Sequence, residues 1–292
     1  VTHSLLPILA VLGSAALAAA AGLRMLLRAP PASWLAENYR GATVVGRGGT
    51  SLGAALVAGA IAAALLQRAL GTDPTHLYAT IVATGIFGLL GWIDDSRGSP
   101  GVRGLKGHLA HLVKHRRATT GAIKAVGGSV VALWAGYLLG AAGWAVLPAG
   151  AVIALFANSV NALDTRPGRA GKAFVALAAL LVAASLGRPV SGPLVGLWAL
   201  LGGALVFLPA DLSERAMLGD TGANALGCAL GLAVIAVAGW PVWVALSVLL
   251  FLFCLAADRW SLTQAIESSA VLRWLDELGR PRTPCVWEND GN

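Results

Sequence analysis

Leu77-Tyr-Ala-Thr-Ile-Val-Ala-Thr-Gly-Ile-Phe-Gly-Leu-Leu-Gly-Trp-Ile93 runs without a charge and then ends abruptly in Asp94-Asp95-Ser-Arg97. A run this long and this apolar has no polar face to offer water, so it reads as a helix crossing a bilayer. Eight further apolar segments surround it, at about 4–23, 51–70, 125–140, 144–158, 173–187, 192–209, 222–239 and 240–257. Across 292 residues, 57% are hydrophobic and only 12% charged, with a mean hydropathy of +0.74. A soluble domain is roughly a quarter charged. The expected fold class is therefore an all-α polytopic membrane protein of about nine transmembrane helices.

Placement of the charges supplies an orientation. With the N-terminus outside, the inner segments are about 24–50, 94–124, 159–172, 210–221 and 258–292, and they hold 19 of the 21 Lys and Arg residues. Only Arg68 and Arg188 fall on the other side, and of 14 acids only Asp73 does. Such a bias places these loops, and the C-terminus, in the cytoplasm. It also accounts for the formal charge of +7 without a nucleic-acid partner. Trp144, Trp240 and Trp243 fall at the outer boundary, Trp92 and Trp260 at the inner one. The first segment lacks a basic start and is followed by Arg24 and Arg28, so it reads as a retained anchor rather than a signal peptide. The transmembrane core thus covers 1–258, and 259–292 forms a cytoplasmic tail. In that tail Ser261 and Gln264 make a capping box, Gly279 and Pro281 make a stop, and the apolar spacing between them predicts one amphipathic interfacial helix.

Cys228, Cys254 and Cys285 form no CxxC pair, and the five histidines include no HExxH, so neither a disulfide framework nor a zinc site is expected. His111 and His115 stand four residues apart but among Lys114, Arg116 and Arg117, which reads as a solvated basic face.

Acids at membrane boundaries carry the chemistry, because an ionised carboxylate in lipid is costly. Asp94 and Asp95 close the third segment, Asp164 follows Asn158-Ser-Val-Asn161-Ala-Leu, and Asp220 sits in Met217-Leu-Gly219-Asp-Thr-Gly-Ala-Asn224. The three clusters fall at one depth on one side. Hard oxygen donors of this kind suit Mg²⁺, which shares its ligands with substrate phosphates. Arg40, Arg47, Lys106 and Lys124 supply positive charge around them, and the Gly46-Arg-Gly-Gly turn offers backbone amides to an anion. Taken singly, each acid could be a helix cap and each basic residue a topology marker. GxxxG spacings at Gly136–Gly140 and Gly227–Gly231 predict close helix packing, within one chain or between two.

Taken together, the Asp94-Asp95 span end, Lys124 opening the next span, Asn158-x-x-Asn161-x-x-Asp164 and Met217-x-Gly219-Asp220-x-Gly222 resemble the polyprenyl-phosphate sugar-1-phosphate transferases. That superfamily includes the phospho-MurNAc-pentapeptide translocases and the GlcNAc-1-phosphate transferases, and the likeness runs from about 38 to 258. It implies transfer of a sugar-1-phosphate, of an N-acetylated amino sugar, from a UDP-sugar to polyprenyl (undecaprenyl) phosphate at the cytoplasmic face. UMP leaves, and the lipid-linked product feeds peptidoglycan, cell-wall or surface-glycan synthesis. The resemblance implies Mg²⁺, with Mn²⁺ as the alternative ion, held by Asp94 and Asp220. It makes Asp94, Asp95, Asp164 and Lys124 catalytic, and Asn158, Asn161, Arg40, Arg47, Lys106, Gly219 and Asn224 substrate-binding. A homodimer is a further implication.

Three departures stand out. Pro167 occupies the second acidic position after the Asn pair, the His-rich loop is missing, and so is a final span. A different donor sugar is the corresponding expectation, with Arg280 or Arg282 replacing lost phosphate or sugar contacts. Two other readings stay open: an ion- or proton-coupled transporter with Asp94, Asp164 and Asp220 as its relay, and an inactive relative that binds a lipid phosphate.

Overall fold

The computed structural model describes residues 2–97 and 120–281. Its helices are α1 (Thr2–Arg28), α2 (Thr50–Leu65), the single turn α3 (Gln67–Leu70), α4 (Pro74–Arg97) and α5 (Thr120–Leu138). There follow α6 (Val146–Leu163), α7 (Arg169–Ala184), α8 (Gly192–Leu212), α9 (Gly219–Val237) and α10 (Trp240–Arg259), then the short pair α11 (Leu262–Ser268) and α12 (Ala270–Glu277). Among the described residues, seven helices are long and apolar enough to cross a membrane: α1, α4, α5, α6 with the turn before it, α8, α9 and α10. The protein is an all-α polytopic membrane protein. The other two expected segments form α2 and α7, each 16 residues long. At 1.5 Å per residue these are roughly 24 Å, short of a hydrocarbon core of about 30 Å.

The bundle is built around α9, which is buried over nearly its whole circumference. Its sequence shows why. Gly227 and Gly231 lie against the α6 backbone, where an added Cβ would come within 2.5 Å of the Ala157 and Ile153 Cα atoms. Small residues of this kind let helices approach closely where lipid offers no hydrophobic drive for association. Gly136 plays the same part between α5 and α6, whereas Gly140 lies beyond the end of α5. Both GxxxG glycines of α9 thus pack within the chain. In contrast, α10 fully buries only Trp243, packs Leu246 and Leu250 partly against the core, and exposes much of its remaining apolar surface. Trp144 and Trp240 meet edge to face at 4.9 Å at one end of the bundle, but Trp243 turns inward instead of joining them.

The segment before α2 is not a plain loop. Leu35–Glu37 (β1) and Thr43–Val45 (β2) pair antiparallel, with Leu35 opposite Val45 and Glu37 opposite Thr43. The Asn38 carboxamide oxygen accepts from the N–H groups of Arg40 and Ala42 and fixes the turn between them. Val45 continues the pairing to Ala216, just ahead of α9. The tail differs from the single helix expected of it. Ser261 does accept from the Gln264 N–H, and Gly279 does adopt a positive φ. The helix nevertheless breaks at Ser269, whose hydroxyl caps a new one by accepting from Leu272 N–H.

Candidate functional site

The three acidic clusters meet at the N-terminus of α9. Gly91 makes this possible: a Cβ there would lie 2.2 Å from the Asp220 carbonyl oxygen, so α4 rides directly on the start of α9. One turn further on, the Asp95 carboxylate accepts from the Asp220 N–H at 3.0 Å, the Thr221 N–H at 3.0 Å and the Thr221 hydroxyl at 2.7 Å. The first turn of a helix has N–H groups with no partner inside it. Asp95 satisfies two of them from another helix. Its carboxylate thereby holds the start of α9, and Asp95 also lines an adjacent cavity.

Asp94 points elsewhere. The Lys124 ammonium, on the second turn of α5, lies 2.9 Å from the Asp94 carboxylate and also contacts Asp220. Two carboxylates from α4 and α9 therefore converge on one cation contributed by α5. Asp220 stands in the first turn of α9, where the helix dipole favours negative charge.

On its other side Asp220 lines an open cavity of about 270 Å³. Five acidic residues line that cavity, Asp95, Asp164, Asp211, Glu214 and Asp220, against two arginines, Arg47 and Arg166. Asp164 ends α6, where the helix dipole disfavours an anion. Burial pushes its carboxyl well above the usual range; the nearby Asp211, Asp220 and Asp95 carboxylates add to this and the Gly219 backbone opposes it. A cavity with this charge balance is suited to a cation, or to a phosphate ligand that brings one.

The sequence did not single out Asp211 and Glu214. Asp211 is 3% exposed and accepts from the Gly168 N–H at 2.9 Å. Glu214 has a φ of 58°, the only non-glycine among the described residues with a positive value. Its carboxylate accepts from the Asn38 amide and the Tyr39 hydroxyl and pairs with Arg40. Asp211 stands in the last turn of α8 and Glu214 just past it, at a span end, so the boundary criterion that found Asp94 applies to them equally. Arg166 lies 4.2 Å over the Tyr39 ring, at the cavity rim.

The remaining expected residues divide. Arg47 lines the cavity and donates to the Asp95 carbonyl oxygen. The glycine turn around it does not present free amides, because Gly46, Gly48 and Gly49 donate to Trp34, Met217 and Leu218. Gly219 belongs to the cavity wall. Arg40 is outside it, half-exposed and held by Tyr39 and Glu214. Asn224 is 3% exposed inside the bundle, with its amide nitrogen unpartnered among the described residues, and does not line the cavity. Asn158 is exposed and Asn161 half-buried, and neither lines it. Lys106, Arg282 and the histidines at 108, 111 and 115 lie outside the described residues.

Among the described residues, no three His, Cys, Asp or Glu side chains converge tightly enough to enclose a metal. Asp94 and Asp220 do converge on a single cation, and Mg²⁺ is commonly held by one or two carboxylates with waters and phosphate oxygens. The donor set fits an ion shared with a substrate. It does not fit a closed protein cage. No protein-family model matches the chain, and no curated protein matches its sequence.

Proposed function

We propose that this protein transfers a sugar-1-phosphate from a UDP-linked amino sugar to polyprenyl phosphate at the cytoplasmic membrane face. An oxygen of the lipid phosphate attacks the β-phosphorus of the donor. A new P–O bond forms, the bond to the bridging oxygen breaks, and UMP leaves with that electron pair. Phosphate attacking diphosphate is opposed by like charge, so catalysis here is chiefly positioning and charge compensation.

Asp94 and Asp220 would hold Mg²⁺, which when bound offsets charge on the donor diphosphate and the departing UMP. Lys124, already paired with both acids, would hold a phosphate oxygen once they turn to the metal. Asp164 and Arg47 would face the donor from the cavity, and Asp95 would fix the backbone beneath them. The observation that carries the reading is the meeting of Asp94, Lys124 and Asp220 beside a cavity lined by acidic residues, with Asp220 common to both, at the ends of membrane spans. There a lipid-tethered nucleophile and a water-soluble nucleotide sugar can reach one another. A transport relay would need acids in mid-span. Every described carboxylate instead lies at a helix end, in a loop or in the short hairpin before α2.

The test is UMP release by purified protein with undecaprenyl phosphate, Mg²⁺ and a panel of UDP-sugars. Activity with at least one donor that is lost on chelation, and in Asp94→Asn and Asp220→Asn, is expected. No release from any donor would sink the proposal.

A further inference from the structure

Two tethers hold the loop that carries Asp164. On the bundle side, Gly168 donates to Asp211. On the other side, the guanidinium of Arg169 grips Asp276 of α12 through two bonds, Nε to Oδ1 at 2.9 Å and Nη2 to Oδ2 at 3.0 Å. Arg169 is only 6% exposed, and its remaining nitrogen donates to Thr165 of the loop and Thr263 of α11. Lys172 donates to the carbonyls of Leu275, Asp276 and Leu278, satisfying the open end of α12. Arg280 reaches back to the Pro167 carbonyl at 3.1 Å and pairs with Asp276. Arg280 thus stands beside Pro167, holding the loop's backbone.

Among the described residues, none covers the opposite side of α12. Val271, Trp274 and Leu275 fall at i, i+3 and i+4, one apolar stripe of a helix, Leu278 just past its end extends it, and all four are exposed, Trp274 at 61%. The Asp276 side chain, on the other face, is 12% exposed. Only Trp260 and Ser261 separate α11 from the end of the membrane-crossing α10. A stripe of this kind, continuing directly from a span, fits the headgroup boundary of the same bilayer.

We propose that α11 and α12 form a clasp seated on the phospholipid surface, and that Arg169 and Asp276 are positioning residues through which it holds the Thr165–Gly168 loop. The proposal rests on the transferase reading only in treating that loop as part of the donor site. Membrane contact and the shape of the cavity are thereby one structural unit. A clasp lifted from the bilayer frees the loop, and a lipid surface that receives α12 restores it.

The full chain in nanodiscs of phosphatidylethanolamine and phosphatidylglycerol, with and without brominated acyl chains, tests both halves. Bromine quenching of tryptophan fluorescence should fall in Trp274→Phe; unchanged quenching would show that α12 is covered by something other than lipid and overturn the proposal. In Asp276→Asn, amide exchange at residues 165, 166 and 168 should rise about tenfold while α9 stays protected. The charge swap Arg169→Asp with Asp276→Arg should recover part of that protection. Exchange unaltered in Asp276→Asn refutes the clasp. Both readouts stand whether or not a UDP-sugar is turned over. Where turnover is found, Asp276→Asn should raise the donor KM several-fold with kcat within about twofold, and an equal fall in kcat alone would count against a positioning role.

Discussion

The carboxylate of Asp95 closes the first turn of a helix through Thr221, accepting from both its backbone N–H and its hydroxyl. The adjacent Asp94 turns to Lys124 instead. Two neighbouring acids therefore do different work, one holding α9 in place and the other pairing with Lys124. Their substitutions should separate accordingly. Asp95→Ala should destabilise the protein by about 1–2 kcal/mol, the usual effect of losing a helix cap, whereas Asp94→Asn should leave the unfolding temperature nearly unchanged. Thermal unfolding in detergent compares the two directly, and a larger loss in the Asp94 variant would contradict the assignment.

Lys124 contacts both Asp94 and Asp220. Lys124→Met should lower UMP release about 100- to 1000-fold, the scale of removing one charged donor from a preorganised site. Lys124→Arg should not restore it fully, since a planar guanidinium cannot sit between the two carboxylates as a compact ammonium does. Initial rates at saturating donor decide the matter; an Arg variant with full activity would show that only charge is needed.

Gly219 combines a φ of 69° with neighbours that leave no room for a Cβ, which would lie 2.8 Å from the Gly46 carbonyl oxygen and 3.0 Å from Asp95. Gly219→Ala should therefore cost about 1–3 kcal/mol from the left-handed backbone alone, with further loss from the displaced Asp95. Loss of the Asp95 cap should appear as faster amide exchange at Asp220 and Thr221. An alanine variant as stable as the parent would be inconsistent with this packing.

Partial burial pushes the Asp276 carboxyl upward, but the Arg169 guanidinium, with Arg280 and Lys172, outweighs it and holds the group below its usual value. A depressed carboxylate stabilises the fold above its ordinary range, near pH 3.9, and that contribution fades as pH falls through the depressed value. The contact between α12 and α7 should thus hold at neutral pH and weaken only in strong acid. Exchange at residues 165, 166 and 168 followed from pH 7 downward should show it, and release already near pH 6 would point to a different group.

Much of the architecture is legible because lipid imposes a simple rule on the chain. The uncharged run from Leu77 to Ile93 and the acids after it become the end of α4 beside the start of α9, as their boundary positions imply. The hairpin at Leu35–Val45 is not legible in this way. Its strands are three residues each, and it depends on Ala216, far along the chain, for its outer pairing. Asp95 is similar: nothing local distinguishes a cap whose partner is Thr221 from a free acid beside Asp94. The break in the tail was within reach, since Ser269 is a good capping residue, but the apolar spacing continues across it and masks the interruption.

Asp220 is common to the cavity and to the Lys124 contact. Two ligands that each draw on one carboxylate cannot bind independently. By linkage, whatever factor an occupant of the cavity applies to affinity at Lys124 is returned in equal measure. An acceptor lipid engaging Lys124 would release Asp220 toward the cavity and so tighten the hold on a cation-bearing donor there. Cooperativity between the membrane-borne and the water-borne substrate would then be a property of a single side chain, with no movement of the helices required.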